Sequence, residues 1–291
     1  MKKILVTGKN SYIGNSFCDA IKEFSKYTAE KISVRGDEWK AMDFSQYDVI
    51  FHVAGIAHWN LQKLSEEQKA LYYKVNTELT IALAKKAKTE GVKQFIFLSS
   101  ASVYGDGAQI GKDKMINKDT PVAPANLYGD SKVKAEKGLT KLMDSKFYVA
   151  ILRPPMIYGK GAKGNYGVLQ KFAKKLPIFP KVQNKRSMCY IGNLVELVRL
   201  IIDNGDSGIF WPCNKEDSNT SELVKMIAAV HGKKIFLIPG FQWMLKLLGY
   251  KSNHVRKAFG NLVYQQAISE YPQEYRIYTL RRSIEVTEKD E

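Results

Sequence analysis

The chain has 291 residues, a hydrophobic share of 45% and a formal net charge of +16. This length accommodates about two domains, and the hydrophobic share is that of a soluble globular protein. The sequence has no run of about 18 apolar residues, so we expect no transmembrane helix, and no apolar leader, so we expect no signal peptide. Three widely spaced cysteines form no metal-ligand pattern, which predicts a reduced cytoplasmic protein without a metal site.

The positive charge is compatible with nucleic acid, an acidic membrane surface or an anionic substrate as partner. The lysines are spread along the chain rather than gathered in one tail. The sequence also lacks a recognition-helix or zinc-finger pattern. We therefore expect no nucleic-acid partner. A solvated basic surface or a doubly negative nucleotide substrate accounts for the charge.

The first elements are a short apolar strand at Ile4–Val6, a turn and a helix predicted from near Tyr12 to about Lys26. Gly8 permits a sharp turn after the strand, and Gly14 permits close packing of the helix on the sheet. The N-terminus of such a helix offers backbone N–H groups and a positive dipole end to a pyrophosphate. The dinucleotide-binding fingerprint has a third glycine between these two, where this chain has Ser11. An ordinary turn into a surface helix is the alternative.

A second strand is predicted at Ile32–Val34, ending at Arg35. In a dinucleotide-binding unit, the residue at this strand end faces the adenosine ribose. An acid there accepts from the 2′-hydroxyl, whereas an arginine pairs with a 2′-phosphate. Arg35 therefore favours NADP(H), with a solvent-facing arginine as the alternative. Asp43 and Phe44 are predicted to contact the adenine.

The next strand, Val49–Ala54, is followed by Gly55, whose backbone can lie against a cofactor. A long helix is predicted over about residues 65–90, because apolar residues recur there with helical spacing. Asn76 lies inside this helix at a cost in helix propensity. We therefore expect its side chain to hold a bend or a water molecule.

The strand Phe95–Leu98 runs directly into the hydroxyl-rich segment Ser99–Gly105. Ligands bind at the carboxyl ends of parallel strands in open α/β sheets, so these hydroxyls are candidate site groups. The helix after Pro124 carries Tyr128 and Lys132, which share one face because they are four residues apart. An ammonium beside a phenol lowers the phenol pKa, which predicts a proton donor or acceptor near neutral pH.

The later chain predicts a strand at Phe147–Leu152 that exits through Pro154 and Pro155, which fix a rigid shape beside the cofactor. The glycine-rich stretch Gly159–Gly167 predicts the start of a second lobe. The apolar, basic-ended segment Phe241–Leu248 favours lobe core over a membrane-surface helix.

Together, the glycine turn, the hydroxyl loop, Tyr128-x-x-x-Lys132 and the Pro154-Pro155 exit resemble the extended short-chain dehydrogenase/reductase family. The closest resemblance is to the NAD-dependent epimerase/dehydratase type, over about residues 1–205. This resemblance implies an α/β fold, a Rossmann doubly wound parallel sheet with a smaller C-terminal substrate lobe. The implied NAD(P)-binding domain comprises residues 1–160 and 189–208, and the implied nucleotide-sugar-binding lobe comprises residues 161–188 and 209–291.

The resemblance also implies residue roles. Ser100 corresponds to the substrate-polarising hydroxyl, Tyr128 to the acid or base, and Lys132 to its partner, which also holds the nicotinamide ribose. Asn76 completes the catalytic set. The implied and predicted cofactor contacts are Gly8, Ser11, Tyr12, Ile13, Gly14, Arg35, Asp43, Phe44, Ala54, Gly55, Ser99, Tyr128, Lys132, Pro154 and Pro155. The implied substrate contacts are Ser100, Ser102, Tyr104, Asn165 and Arg186, of which Arg186 resembles an arginine that meets a nucleotide diphosphate.

Two chemistries fit these residues. The favoured one is a 4-keto sugar reductase for surface-polysaccharide precursors that consumes NADP(H), as Arg35 indicates. The alternative is a 4-epimerase of a UDP-hexose or UDP-N-acetylhexosamine with retained NAD(H), because Ser102–Gly105 is typical of epimerases. Ala101 and Ser102 stand where dehydratases have an Asp-Glu pair, which disfavours 4,6-dehydration.

A non-catalytic dinucleotide-binding protein is the third hypothesis. It is disfavoured because such a protein has no need for Ser100, Tyr128 and Lys132 together. The family further suggests a homodimer through the helices at about residues 65–90 and 123–143.

Overall fold

The computed structural model describes residues 1–57 and 64–289, and the chain divides into two compact units. The first unit comprises Met1–Gly105, Val122–Pro154 and Val195–Phe210. The second comprises Asp106–Pro121, Pro155–Leu194 and Trp211–Glu291. Within the described ranges, every helix is too short or too polar to cross a membrane.

The described residues form twelve strands and ten α-helices. The strands are β1 (Lys2–Thr7), β2 (Tyr27–Ile32), β3 (Val49–His52), β4 (Gln94–Leu98), β5 (Met115–Ile116), β6 (Tyr148–Leu152), β7 (Met156–Tyr158), β8 (Ile178–Pro180), β9 (Met188–Tyr190), β10 (Gly208–Phe210), β11 (Phe236–Ile238) and β12 (Val263–Tyr264). The helices are α1 (Tyr12–Ile21), α2 (Glu66–Tyr73), α3 (Leu79–Thr89), α4 (Leu127–Thr140), α5 (Asn165–Lys175), α6 (Ile191–Asn204), α7 (Thr220–Val230), α8 (Gln242–Lys251), α9 (Asn253–Phe259) and α10 (Leu280–Glu288).

The first unit contains a six-stranded sheet in the order β10-β6-β4-β3-β1-β2, with every neighbouring pair parallel. The chain order reverses direction between β1 and β3, which is the switch point where ligands bind in such sheets. The predicted α/β class with a Rossmann parallel sheet is therefore confirmed. The predicted site residues Gly8 and Ala54 follow the two strands that flank this point.

The core of this unit follows from the register of the sheet. Leu5, Ile50, Phe95 and Val149 occupy one row across β1, β3, β4 and β6, and all four are fully buried. Strands covered on both faces need such continuous apolar runs, which is why these four strands were recognisable in the sequence.

The second strand differs from the prediction. Helix α1 ends at Ile21 rather than near Lys26, and β2 occupies Tyr27–Ile32 rather than Ile32–Val34. Only Tyr27 and Ile32 of β2 are buried, because it is the edge strand of the sheet. Its four middle residues therefore carry little apolar signal, and Arg35 lies three residues beyond the strand.

The predicted long helix is present but is interrupted by a π-helix at Lys74–Glu78 between α2 and α3. Such insertions are rare and are frequent at functional sites. Asn76 lies in the middle of the π-helix and is fully buried. The unfavourable helix propensity of an asparagine was the local signal of this irregularity.

The second unit contains three two-stranded parallel pairs, β8–β11, β5–β12 and β7–β9. The segment 106–121, which the predicted boundaries place in the first domain and read as a loop, belongs to this unit. The reason is that β5 pairs with β12 and the Ala108 N–H donates to the Asn261 carbonyl at 2.8 Å. Two-residue strands leave no periodic pattern to recognise.

The segment Phe241–Leu248 does not form lobe core as predicted. Leu245 is buried against Ile110 and Val182, but Trp243 and Leu247 are largely exposed on α8. The prediction of core therefore holds for one side of this helix only.

His52 is a buried polar residue at the end of β3. Its Nδ1 lies 2.6 Å from the Thr7 hydroxyl and its Nε2 lies 2.9 Å from the Thr80 hydroxyl. Thr80 donates its single proton to the Asn76 carbonyl at 2.9 Å, so Nε2 carries the imidazole proton and Thr7 donates to Nδ1. Burial, with a smaller effect of the Lys132 charge, lowers the His52 pKa from 6.5 to about 3.

The His52 pKa predicts a loss of stability in mild acid. Between pH 6.5 and 3 the unfolded chain binds one more proton at this position than the folded chain, so stability falls as the pH falls. The expected contribution at pH 5 is roughly 2 kcal/mol. Urea denaturation of the wild type and of His52→Gln at several pH values from 7.5 to 5 measures this contribution. We expect the free energy of unfolding to fall less steeply with falling pH in the variant than in the wild type. Equal slopes for the two proteins would contradict this assignment.

Candidate active site

The turn that the sequence predicts to bind a pyrophosphate lies between β1 and α1. Gly8 has a φ of +103°, and a Cβ added to it would lie 3.1 Å from the Ala54 backbone nitrogen. A side chain is thus excluded there by both conformation and space. The predicted cofactor residues Gly8 and Ala54 are brought together at the switch point of the sheet.

Ser11, which replaces the usual central glycine, is the N-cap of α1. Its Oγ accepts a hydrogen bond from the Gly14 N–H at 3.3 Å, and its backbone is extended, so no glycine is required. A Cβ on Gly14 would lie 3.1 Å from side-chain atoms of Val6 and Val53, which explains the close packing of α1 on the sheet. Tyr12 and Ile13 form the first turn of the helix.

Asn76 joins the strand end after β3 to α4. Its side chain accepts from the Ile56 N–H at 2.8 Å, donates to the Ile56 carbonyl at 3.0 Å and donates to Ser131 Oγ at 3.1 Å. A Cβ on Gly55 would lie 3.1 Å from Asn76 Oδ1 and 3.6 Å from Lys132 Nζ. The structure therefore brings Gly55, Asn76 and Lys132 together, and Asn76 holds a loop rather than a helix bend.

Ser100 and Tyr128 meet at the carboxyl end of β4. The Ser100 side chain caps a 3₁₀-helix at Ala101–Tyr104 by accepting from the Ser102 N–H at 3.1 Å, and it also hydrogen-bonds the Tyr128 hydroxyl. The start of α4 can approach this loop because residue 129 is glycine, where a Cβ would lie 2.4 Å from the Ser102 carbonyl oxygen. Serine, phenol and lysine thus converge as the sequence predicts.

The pKa of Tyr128 does not follow the prediction. Tyr128 is half-buried, and desolvation of its hydroxyl raises its pKa to about 12, opposed by the hydrogen bond with Ser100. Lys132 does not counter this increase, since its Nζ lies 5.9 Å from the Tyr128 ring centroid and donates to the Leu98 carbonyl at 2.8 Å. Burial lowers the pKa of Lys132 itself to about 8, opposed by the charge of Glu136. The residues alone therefore keep the phenol protonated at neutral pH.

A buried ion pair beneath these residues was not predicted. Arg153 Nε and Nη2 donate to the two carboxylate oxygens of Glu136 at 3.1 and 2.6 Å, and Arg153 Nη1 donates to the Tyr104 hydroxyl at 2.7 Å. The Ser99 hydroxyl donates to the same carboxylate. Ser99 and Tyr104 are buried parts of this network, and their contacts with cofactor and substrate stay predictions.

Other predicted contacts are placed apart from this cluster. The ring of Phe44 is fully buried in the sheet core, so the contact of this segment with adenine stays a prediction. Asp43 is exposed and accepts from the Ser45 N–H at 2.9 Å in a local turn. Arg35 is exposed beyond β2. Pro154 accepts from the Ala101 N–H at 2.8 Å, which ties the proline exit to the serine loop.

In the second unit, Arg186 donates from Nη1 to the Gly260 carbonyl at 2.7 Å. Burial lowers its pKa to about 10, so it stays charged at neutral pH. Among the residues with described positions, Arg186 has no carboxylate within salt-bridge distance. Asn165 is the exposed first residue of α5, and Pro155 begins this unit's second segment. A half-buried guanidinium without a carboxylate partner among the described residues is a candidate anion-binding group.

Comparison with known families decides the class of this protein. Residues 4–210 match the model of the NAD dependent epimerase/dehydratase family, which is more than half of the chain. The chain belongs to this family. Membership in the NAD dependent epimerase/dehydratase family confirms the predicted enzyme class and the prediction of a nicotinamide dinucleotide as cofactor.

Similar members of the family include two curated epimerases. The UDP-glucose 4-epimerase of Vibrio cholerae is 34% identical over 90% of this chain and 86% of its own length. The N-acetyl-alpha-D-glucosaminyl-diphospho-ditrans,octacis-undecaprenol 4-epimerase of Escherichia coli O157:H7 is 28% identical over 80% of this chain and 73% of its own.

The fold is shared with the UDP-glucuronic acid 4-epimerase of Bacillus cereus, solved in complex with NAD. The TM-score is 0.74 at 20% identity, covering 98% of this chain and 96% of that one. At this identity the likeness concerns the fold.

The Glu136–Arg153 pair predicts a strong effect of a one-atom change. Glu136→Gln removes the charge that neutralises a buried guanidinium, so we expect a loss of about 3–5 kcal/mol in the free energy of unfolding. Urea denaturation at neutral pH measures this loss. Glu66→Gln, which breaks the exposed pair with Lys69, is the matched control and should cost under about 1 kcal/mol. A similar loss in both variants would show that breaking the buried pair costs no more free energy of unfolding than breaking an exposed pair.

Proposed function

We propose that this protein is a 4-epimerase of a nucleotide-activated hexose that retains NAD(H) through its cycle. The observation that carries the proposal is the hydrogen-bonded Ser100–Tyr128 pair with Lys132 behind it, in a chain 34% identical to a UDP-glucose 4-epimerase. The sequence alone favoured the reductase. The similarity to an epimerase over nine-tenths of the chain supports the epimerase, which is the assignment we choose.

The residues at the switch point fit a dinucleotide. Gly8 and Gly55 have no side chain where two strand ends lie side by side, and Cβ atoms there would meet Ala54 and Asn76. The first turn of α1 presents its backbone N–H groups next to this side-chain-free area. We assign the pyrophosphate to the turn Gly8–Gly14 and the nicotinamide ribose to Lys132.

When bound, the oxidised nicotinamide supplies a hydride acceptor for carbon 4 and a positive charge that favours the phenolate form of Tyr128. Tyr128 accepts the proton of the 4-hydroxyl, and Ser100 donates a hydrogen bond to the same oxygen as it becomes a carbonyl. Tyr128 returns this proton when the opposite face of the ketone is reduced. Lys132 contributes through the nicotinamide ribose, and no proton or hydride is consumed overall.

Arg186 is proposed to bind the diphosphate of the substrate, since it is half-buried, charged and without a carboxylate partner among the described residues. The diphosphate is common to sugars carried on a nucleotide and to sugars carried on a polyprenol, as in the name of the Escherichia coli relative. The nucleotide-activated sugar is our primary assignment, with Ser102 and Asn165 as candidate sugar contacts. Substrate tests should include both carriers.

A 4-keto sugar reductase that consumes NADPH is the second candidate. Two observations favour it. Arg35 is exposed after β2 and can pair with a 2′-phosphate, and the neutral phenol of Tyr128 is ready to donate a proton to a developing alkoxide. The catalytic residues are identical in both reactions, so the fate of the cofactor distinguishes them.

The fate of the cofactor is therefore the first measurement. We expect denaturation of the purified protein to release NAD(H) in near-stoichiometric amount. We also expect the protein to interconvert UDP-glucose or UDP-N-acetylglucosamine with its 4-epimer without added cofactor. Chromatography of the sugar nucleotides measures this conversion. Recovery of NADP(H), or turnover only with added NADPH and a 4-keto sugar, would replace the epimerase by the reductase.

Tyr128→Phe tests the acid–base role. Removal of the hydroxyl should lower kcat by about 10²–10⁴-fold, because proton transfer at the 4-oxygen is lost, while the bound dinucleotide is retained. Turnover and dinucleotide content of the same preparation give both readouts. Tyr148→Phe, which alters an exposed phenol on β6, is the matched control and should leave kcat unchanged. Full turnover by Tyr128→Phe would remove Tyr128 from the mechanism.

A further inference from the structure

Helix α8 of the second unit presents an apolar stripe to solvent. Trp243, Leu247 and Tyr250 are spaced i, i+4 and i+7, which places them on one face of the helix. Their exposed fractions are 66%, 60% and 67%. A single exposed leucine is ordinary, but three large apolar side chains in one stripe mark an interaction surface.

The orientation of α8 is fixed by its opposite side. Leu245 is buried with Ile110 and Val182, and Gly249, one turn later, lies so close to Ile110 that a Cβ would be 2.9 Å from its Cδ1. A glycine at this contact permits the close approach that turns the stripe outward. The Tyr250 hydroxyl is also held, at 3.2 Å from Gln109 Oε1. The contacts of Leu245 and Gly249 with Ile110 therefore fix α8 so that the stripe faces solvent.

The charge around α8 identifies the partner. Residues 223–269 contain seven basic residues and no aspartate or glutamate, although the whole chain has 29 acidic residues. Lys246 lies on α8 itself and is exposed, three residues after Trp243. Arg256 pairs with Asp106 at 2.9 Å, and the six lysines of this segment together with the apolar stripe are complementary to an apolar surface covered by anions. The seven residues are Lys225, Lys233, Lys234, Lys246, Lys251, Arg256 and Lys257.

We propose that α8 docks on the surface of a bilayer containing anionic phospholipids, with the stripe Trp243–Leu247–Tyr250 in the headgroup region. Tryptophan and tyrosine favour that boundary because one end of each ring system is polar, and lysines favour the anionic headgroups. A second copy of the chain is a poorer partner, since a two-fold interface here would place the same basic segment against itself. The proposal does not depend on the catalytic one.

Co-sedimentation with vesicles tests the proposal. The full-length protein is mixed with phosphatidylcholine vesicles with or without phosphatidylglycerol, in the absence of any sugar nucleotide, at low and at high salt. We expect binding to the anionic vesicles that weakens at high salt, because the headgroup attraction is screened. The triple variant Trp243→Ser, Leu247→Ser, Tyr250→Ser should bind at least about tenfold more weakly, since the apolar contribution is removed. Lys246→Glu should weaken binding to the vesicles that contain phosphatidylglycerol and leave binding to pure phosphatidylcholine vesicles unchanged.

The matched control removes exposed apolar side chains elsewhere, as Leu71→Ser together with Ile277→Ser, and should bind like the wild type. Far-ultraviolet circular dichroism and a melting curve establish that each variant is folded. Equal binding by the triple variant, or no binding by the wild type, would overturn the proposal. So would a change from dimer to monomer in the triple variant without vesicle binding, which would assign the stripe to self-association. None of these outcomes bears on epimerase activity, which is assayed without lipid.

Discussion

The ion pair between Glu136 and Arg153 is the contact on which the arrangement of the first unit depends. Glu136 lies on the helix of Tyr128 and Lys132, Arg153 follows β6 and precedes Pro154, and Ser99 follows β4 and precedes Ser100. One carboxylate thus connects three elements that carry candidate site residues. A buried pair adds little net stability compared with apolar packing. Its value here is geometric, because the fork of the guanidinium admits one relative placement of these elements.

Desolvation is the second constraint, and it acts on Tyr128, Lys132 and His52 in the same sense. It raises the pKa of the Tyr128 phenol and lowers those of Lys132 and His52, so each group is pushed towards its neutral form. At neutral pH Tyr128 and His52 are therefore neutral, whereas Lys132, with a pKa of about 8, keeps most of its charge. Interactions between a charged ligand and the charged groups of the site are stronger in such an environment than in water.

The parts of this fold that the sequence revealed are those with local causes. The runs at β1, β3, β4 and β6 are apolar because both faces are covered, and Tyr128 and Lys132 meet because they are one helical turn apart. The edge strand β2 was misplaced because the burial of its residues depends on distant neighbours. Glu136 and Arg153 resemble surface charges in sequence, since 17 positions separate them and only the folded sheet pairs them. The pKa of Tyr128 likewise depends on surroundings that a four-residue spacing does not report.

The π-helix at Lys74–Glu78 has a consequence for how this chain can vary. A π-turn holds one residue more than a regular turn, so it sets the rotational phase between α2 and α3. Deleting one residue there would give an unbroken α-helix with better local hydrogen bonds, yet it would rotate one half against the other by about 100°. Asn76 and Thr80 would then no longer both reach Ile56 and His52. The irregularity is thus a length constraint, and this helix should tolerate substitution far better than insertion or deletion.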